Sequence, residues 1–334
     1  MKRANNLYNL IATHENIRKA FWKAAKGKKT SSEVIQFQRD FDASIQRLRE
    51  QLLSHTPDVG HYHFFVVRDP KVRTICAASF PERVLHHAIM NYCEPVLDSY
   101  AIFDSYACRK GKGNRKALAK AQVFTRRYAW YLKLDIRKYF DSIDHSIVMQ
   151  LLARRFKEEE LLALFYTVLN TYHTHPGKGL PIGNLISQHL ANFYLGLFDH
   201  WIKETRKIKG YLRYMDDFIL FANDQLTLKT ELKETEIFLK KHLDLKLKYN
   251  TQLNRSCLGV PFLGFRIFPN HTRLLPRSKE RFSKKLREYE KNYYDGKWTE
   301  RELVRHMQSL IAFTDAGDSA PFRRMVINRF GVLS

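Results

Sequence analysis

The segment YLRYMDDFILF, residues 211–221, constrains this chain more than any other. Two apolar, aromatic runs of strand length flank the adjacent acids Asp216 and Asp217. Adjacent carboxylates repel, and an uncompensated buried charge is costly. The segment therefore reads as two strands with the acidic pair at the tip of a two-residue hairpin turn. A lone Asp-Asp there needs no function, because Asp tolerates turn dihedrals. A third acid changes the reading. Asp135 closes another strand-like run, YLKLD, and if these strands are neighbours Asp135 and Asp216 converge. Divalent cations readily neutralise such a cluster, and Mg²⁺ favours one or two carboxylates completed by phosphate oxygens and water. Two ions about 4 Å apart suit phosphoryl transfer, one activating an attacking hydroxyl and the other stabilising the leaving oxygen. Neighbouring residues of a regular strand point opposite ways, so Asp216 is expected to bind metal most directly and Asp217 to contribute field or a weaker contact. Asp144, nearby, reads as the N-cap of the helix after it.

Composition names the partner class. The formal net charge of +23 calls for a polyanion: nucleic acid first, an anionic membrane surface second. No apolar run of about 18 residues is present, and the first residues have no continuous apolar stretch, so neither a membrane span nor a signal peptide is expected. Cys76, Cys93, Cys108 and Cys257 are widely spaced, which points to buried, reduced thiols in a cytoplasmic protein and to neither a zinc ribbon nor a disulfide framework. His86 and His87 read as structural.

Periodicity places helices over residues 5–55, with a break at GKKTSS, and two strands around an Asp69-Pro70 turn in HYHFFVVRDPKVRTICAAS. A helix follows over residues 81–98. WYLKLDIRKYF is strand-like, and HSIVMQLLARRFKEEELLALFYTVLN is helical. LISQHLANFYLGLFDHWIKET reads as one long helix, as do residues 226–242; LKLKYN and VPFLGFRIF read as strands. A basic helix runs from Arg277 to near Gly296. Strands and helices alternate in the middle and helices flank both ends, which predicts an α+β fold.

YMDD between apolar strands, with LKLDIRKYFDSIDH about eighty residues earlier, resembles the palm of a reverse transcriptase. DPKVRTICAASFPERVLHHAI and FDSYACRKGKG resemble its fingers motifs, GLPIGNLISQHLANFYL its templating segment, LDLKLKYN the strand with a basic residue near pyrophosphate, and PFLGFRI the primer grip. The resemblance covers residues 60–268. It implies a right-hand polymerase: a helical N-terminal extension (1–58), fingers and palm with an antiparallel sheet plus helices (59–268), and a small α-helical thumb (269–334). It implies RNA-directed DNA polymerisation with two Mg²⁺ ions, Mn²⁺ being a possible substitute. Catalysis falls to Asp135, Asp216 and Asp217, and metal binding to these three with Ile136. Lys71 and Arg73 face the incoming triphosphate. Phe140 lies under its sugar, where an aromatic ring leaves no room for a 2′-hydroxyl. Ile182, Gly183 and Gln188 belong to the nucleotide site, with Lys246 or Lys248, Lys248 slightly preferred, as general acid toward pyrophosphate. Arg109, Lys110 and Lys112 contact template or primer backbone, while Tyr214, Met215 and Gly264 lie beside the primer. The partners implied are template RNA, the RNA–DNA hybrid and deoxynucleoside triphosphates.

A narrower resemblance rests on IGNLISQ, residues 182–188. Many reverse transcriptases have Gln-Gly and Ser-Pro where this chain has Ile182-Gly183 and Ser187-Gln188. The pattern here is similar to that of diversity-generating retroelements, encoded by bacteria, archaea or phages. That group implies copying of a structured RNA with errors at template adenines, and a pentameric helical accessory protein. Ile182 cannot make the hydrogen bonds of Gln, which narrows the energy gap between right and wrong pairs. The alternative is a group II intron-like or phage-defence reverse transcriptase. Two other classes stay open on the residues alone: a nucleic-acid-binding scaffold without catalysis, and a metal-dependent nuclease.

Overall fold

A computed structural model describes residues 2–68 and 71–330. The turn expected at Asp69-Pro70 and residues 331–334 of the expected thumb lie outside the described residues. The chain forms two compact units, each assembled from separate stretches. The mixture of helices and small antiparallel sheets is the α+β class expected.

The first unit takes Met1–Phe103, Ile136–Trp201 and Thr235–Lys248. Its N-terminal helices His14–Ala24, Ser32–Arg39 and Phe41–Leu53 place Ile17, Ala20, Phe21, Val34, Phe37 and Ile45 in the core. The expected second helix is two, because the backbone leaves helical geometry at Asp40. Phe21, Phe37, Phe41 and Phe80 form an aromatic cluster against the helix Phe80–Tyr100. Strands β1 (Tyr62–Val67) and β2 (Arg73–Ala78) form an antiparallel hairpin. Two further expectations are corrected. Residues 145–170 form two helices, His145–Ala153 and Glu159–Leu169. The long helix expected from Leu185 is Leu185–Tyr194, then Gly196–His200, then one π-helical turn Trp201–Thr205. Gly196 sits at that break with no space for a side chain, since an added Cβ would lie 2.8 Å from Tyr100 Cε1.

The second unit takes Asp104–Asp135, Ile202–Glu234 and Tyr249–Ser334. Its sheet has the order β4-β5-β3-β6: β3 Trp130–Asp135, β4 Gly210–Tyr214, β5 Asp217–Ala222 and β6 Gln252–Arg255, all antiparallel. Tyr131, Leu212, Ile219 and Phe221 pack against the helix Asn114–Arg127 and a three-stranded sheet, β7 Val260–Phe262, β8 Phe265–Ile267 and β9 Thr272–Leu274. Leu132, Leu134, Phe218 and Leu220 alternate to the opposite face and are also buried. Burial on both faces explains why WYLKLD and DFILFA are nearly continuous in apolar residues. Three helices, Pro276–Tyr294, Glu300–Thr314 and Ala320–Phe330, close around Phe282, Leu286, Leu310 and Val326.

Two strand expectations change. LKLKYN is not a strand; only Leu247 makes an isolated bridge, to Ile136. VPFLGFRIF is not one strand but β7 and β8 turned about Leu263 and Gly264, whose φ values are +48° and +87°. Two successive left-handed residues define a tight hairpin turn. No disulfide joins the cysteines among the described residues; Cys76 and Cys93 are buried, but Cys108 and Cys257 are exposed, against the expectation of buried thiols.

Candidate active site

The ladder of β3, β4 and β5 fixes the three acids. Tyr214 pairs with Asp217, so the two-residue turn consists of Met215 and Asp216. This corrects the sequence reading by one position: Asp216 is at the tip, and Asp217 is the first residue of β5. Met215 has φ +57°, a conformation that costs a side-chain-bearing residue roughly 1–2 kcal/mol. Across β5, Asp135 lies directly opposite Asp217. Directly opposed residues project from the same face, so the register brings residue 135 beside 217, with Asp216 one residue away in the turn.

The electrostatics agree with the register. Burial pushes the Asp217 carboxyl up to about 6; Lys133 pulls it down, and the charges of Asp135 and Asp216 add to the rise. Lys133 Nζ is 3.0 Å from Asp217 Oδ2. Asp217 Oδ1 is buried without a hydrogen-bond partner. Among the described residues, no three His, Cys, Asp or Glu side chains already surround one point as a closed metal site. An orphaned buried carboxylate oxygen in an acidic neighbourhood nevertheless fits a hard divalent cation whose remaining ligands come from substrate and water. Ile136 is fully buried and offers a metal only its backbone carbonyl.

Arg213 braces the turn, and motif reading did not single it out. Its Nη1 donates to the Met215 carbonyl at 2.9 Å, and the residue is completely buried. Its backbone N–H donates to Asp104 O at 2.9 Å and its carbonyl accepts from Tyr106 N at 3.0 Å, so residues 104–106 cover the free edge of β4. Nearby, Arg109 donates to Ser105 O at 3.0 Å, and Lys112 lies over the Tyr106 ring at 5.2 Å. Tyr214 packs against the hydrophobic cluster beneath the sheet.

Gly264 is held by protein. Its carbonyl accepts from Ser278 Oγ at 2.8 Å and from Leu275 N at 3.0 Å. A Cβ there would lie 2.9 Å from both Phe313 Cζ and Ser278 Oγ. With φ at +87°, Gly264→Ala is expected to cost about 1–3 kcal/mol, read as a lowered urea midpoint at unchanged m-value. An unchanged midpoint would show that the turn rearranges freely.

The remaining candidates lie in the first unit. Lys71 and Arg73 are exposed on the β1–β2 hairpin. The Ile182 carbonyl accepts from Cys76 N at 2.8 Å, and the Asn184 side chain, unnoticed in the sequence, accepts from Ala78 N at 3.2 Å. These bonds tie the IGN loop to β2. Gly183 has φ +120°, and a Cβ there would lie 2.7 Å from Ile75 Cγ2. Gln188 is exposed on the helix that follows. Of the Tyr139–Phe140 pair, Tyr139 is buried with its hydroxyl donating to Ala191 O, whereas Phe140 is half-buried and its carbonyl accepts from Leu180 N at 2.8 Å. Asp144 caps the helix His145–Ala153, accepting from Ser146 N and Ile147 N. A cavity of 330 Å³ is lined by Arg137, Lys138, Lys178, Lys240 and Lys246, against Asp141 and Asp244. Hydrogen bonds from Lys178 and Lys240 hold the Asp244 carboxyl down to about 2. Lys246 is exposed at this cavity, while Lys248 is half-buried and does not line it.

The ordered motifs and the antiparallel sheet with its acidic turn are those of a template-directed nucleic-acid polymerase. Residues 68–267 match the family model of the reverse transcriptase (RNA-dependent DNA polymerase), and the chain belongs to that family. The enzyme class expected from the motifs, an RNA-directed DNA polymerase in a right-hand polymerase fold, is the class of this family. The chain is 24% identical to protein YkfC of Escherichia coli over 280 residues, covering 69% of this chain and 72% of that protein. It is 23% identical to the group II intron-encoded protein LtrA of Lactococcus lactis subsp. cremoris, covering 62% of this chain and 46% of LtrA. A putative COX1/OXI3 intron 1 protein of Saccharomyces cerevisiae is 25% identical over 167 residues, or 46% of this chain and 20% of that protein. The chain thus spans less than half the length of the two intron proteins. Among solved structures, apo telomerase from Candida tropicalis aligns over 82% of this chain and 67% of its own, with a TM-score of 0.49 and 10% identity. No helix among the described residues is long and apolar enough to cross a membrane.

Proposed function

We propose that this protein copies a structured RNA into DNA at Asp135, Asp216 and Asp217, within a diversity-generating retroelement. The observation that carries the catalytic reading is the register that sets Asp135 opposite Asp217 with Asp216 in the adjoining turn. In this reading residues 59–268 are fingers and palm, residues 1–58 an N-terminal extension and residues 269–334 a thumb. Asp135, Asp216 and Asp217, with the Ile136 carbonyl, would hold two divalent cations, Mg²⁺ or in its place Mn²⁺. Divalent cations held there would supply a lowered pKa for the primer 3′-hydroxyl and offset charge on the phosphates. The 3′-oxygen bonds to the α-phosphorus of the nucleotide and the bond to pyrophosphate breaks.

The other roles follow from chemistry and placement. Lys71 and Arg73 supply exposed positive charge for the triphosphate. Tyr139 fills the core in place of Phe140, which supports Phe140 as the ring that excludes a 2′-hydroxyl. Lys248, or Lys246 at a cavity rich in cations, gives departing pyrophosphate a proton. Arg109, Lys110 and Lys112 meet nucleic-acid backbone. Tyr214 and Met215, at the acidic turn, contact the primer end, as does the hairpin of Gly264. Gly183 and Gln188 flank the nucleotide beside Ile182.

The retroelement assignment rests on Ile182 and the IGNLISQ pattern, and brings a pentameric helical accessory protein as partner and a cytoplasmic setting. Ile182→Gln keeps the backbone bond to Cys76 and adds one polar contact, worth about 0.5–1.5 kcal/mol. Misincorporation is therefore expected to fall roughly two- to tenfold in sequenced cDNA. An unchanged error spectrum would contradict the role given to Ile182. The intron-encoded relatives favour a second reading, a group II intron-like reverse transcriptase. Sequencing cDNA made with and without the accessory protein separates the two: errors concentrated at template adenines support the retroelement, and errors spread evenly over four bases support the second reading.

A further inference from the structure

A lysine to which the motifs give no role touches the acidic site. Lys133 stands two residues before Asp135 on β3, so both side chains leave the same face of the strand. Its cross-strand partners are Ile219 on β5 and Gln252 on β6, and its amine reaches diagonally to Asp217, with Nζ 3.0 Å from Oδ2. The same Nζ donates to the backbone carbonyl of Pro261 in β7 at 3.0 Å and lies 5.9 Å from the centre of the Phe262 ring. Lys133 and Asp217 side chains are 19% and 24% exposed, so water screens this contact only in part.

Two of the three ammonium donors are thus committed, one to an acid of the proposed site and one to the hairpin of residues 260–267. That hairpin is also held by the pairing of β8 with β9, by burial of Val260, Phe262, Phe265 and Ile267, and by the bonds of Gly264 to Ser278 and Leu275. Pro261 has no N–H, so its carbonyl is the one backbone group it has for hydrogen bonding. We propose that Lys133 is a positioning residue: its ammonium ties the Asp217 carboxylate to the backbone of the β7–β8 hairpin and supplies a resident positive charge that a divalent cation must compete with. The inference rests on the proposal that Asp217 belongs to a cation site beside a primer-contacting hairpin.

Two consequences differ from those of a lysine that merely fills space. Without the ammonium, the hairpin loses its hydrogen bond to the β3 lysine and keeps only its apolar packing there, and the acidic group attracts a divalent cation more strongly. Lys133→Met keeps most of the stem and removes both bonds; Lys133→Arg keeps the charge. In Lys133→Met, hydrogen exchange of the hairpin amides in metal-free protein is expected to speed up about tenfold relative to the centre of β5, as for loss of one charged hydrogen bond. The Mg²⁺ concentration at half-maximal thermal shift is expected to fall roughly three- to tenfold. Lys133→Arg should restore both toward wild type.

If Lys133→Met does not fold, the double variant Lys133→Met/Asp217→Asn removes the unpaired carboxylate as well. It should fold with the fast hairpin exchange retained, because Pro261 still lacks its donor. Unchanged hairpin exchange, or an unchanged Mg²⁺ midpoint in the single variant, overturns the proposal; so does normal hairpin exchange in the double variant. None of these readouts uses catalysis. Failure of the polymerase reading would instead appear as wild-type protein that does not extend a primer on RNA, whatever the behaviour of Lys133.

Discussion

Asp216→Ala is expected to reduce primer extension on RNA by about 10³-fold or more while leaving the fold intact. The residue sits in a turn rather than within the ladder, so its removal breaks no strand pairing. What it removes is negative charge and a hard oxygen ligand where cations must gather. Asp135→Asn should act similarly from the other strand, since residue 135 faces 217 across the sheet. A thermal-shift titration with Mg²⁺ supplies the control. Wild-type protein should gain stability on adding the cation, and both variants should gain much less. The gain should also depend on pH. The Asp217 carboxyl is pushed up to about 6, above the range of an unfolded Asp, so its proton stabilises the metal-free fold at low pH and that contribution disappears as pH rises through about 6. A cation must displace that proton, so the Mg²⁺ shift should be larger at pH 7.5 than at pH 5. Extension by Asp216→Ala at a wild-type rate would remove the acidic turn from the reaction.

Arg213→Met is expected to cost about 2–4 kcal/mol of folding stability and to impair activity through the turn. Arg213 is completely buried, and its guanidinium donates to the carbonyl of Met215, the residue held at φ +57°. Replacement by an apolar side chain leaves that carbonyl without its donor and relaxes a backbone conformation that needs support. Arg213→Lys retains charge but not the planar fork, and should recover only part of the loss. Denaturant unfolding gives the first number. The second is the ratio of turnover to primer–template KM: a loosened turn lowers turnover more than it weakens template binding. Stability within about 0.5 kcal/mol of wild type, with normal turnover, would show that the turn holds itself.

Much of this was legible in the sequence, for definite physical reasons. The apolar runs on either side of Asp216 and Asp217 could only be paired strands, and the run ending in Asp135 had the composition of a strand buried on both faces. The turn was misplaced by one residue because nothing in Tyr-Met-Asp-Asp signals that Met215 adopts a left-handed conformation that Asp would take more easily. VPFLGFRIF looked like one strand because its turn residues are Leu263 and Gly264, of which only the second is a turn signal. LKLKYN alternates as a strand should, yet only Leu247 forms a β-bridge; alternation reports amphipathicity, and strand pairing is decided elsewhere in the fold. Arg213 and Lys133 escaped notice because a basic residue in an alternating strand reads as its solvent side. Residues 104–106, which pair with the backbone of Arg213, and β7, which accepts the Lys133 amine, approach from distant parts of the chain.

The most direct test of the central claim is anomalous diffraction from crystals of the protein with a primer–RNA template, a non-hydrolysable deoxynucleotide and Mn²⁺. The account predicts manganese peaks within coordination distance, about 2.0–2.4 Å, of carboxylate oxygens of Asp135 and Asp216, next to the α-phosphate. Manganese bound away from these carboxylates, with the primer end elsewhere, would contradict it.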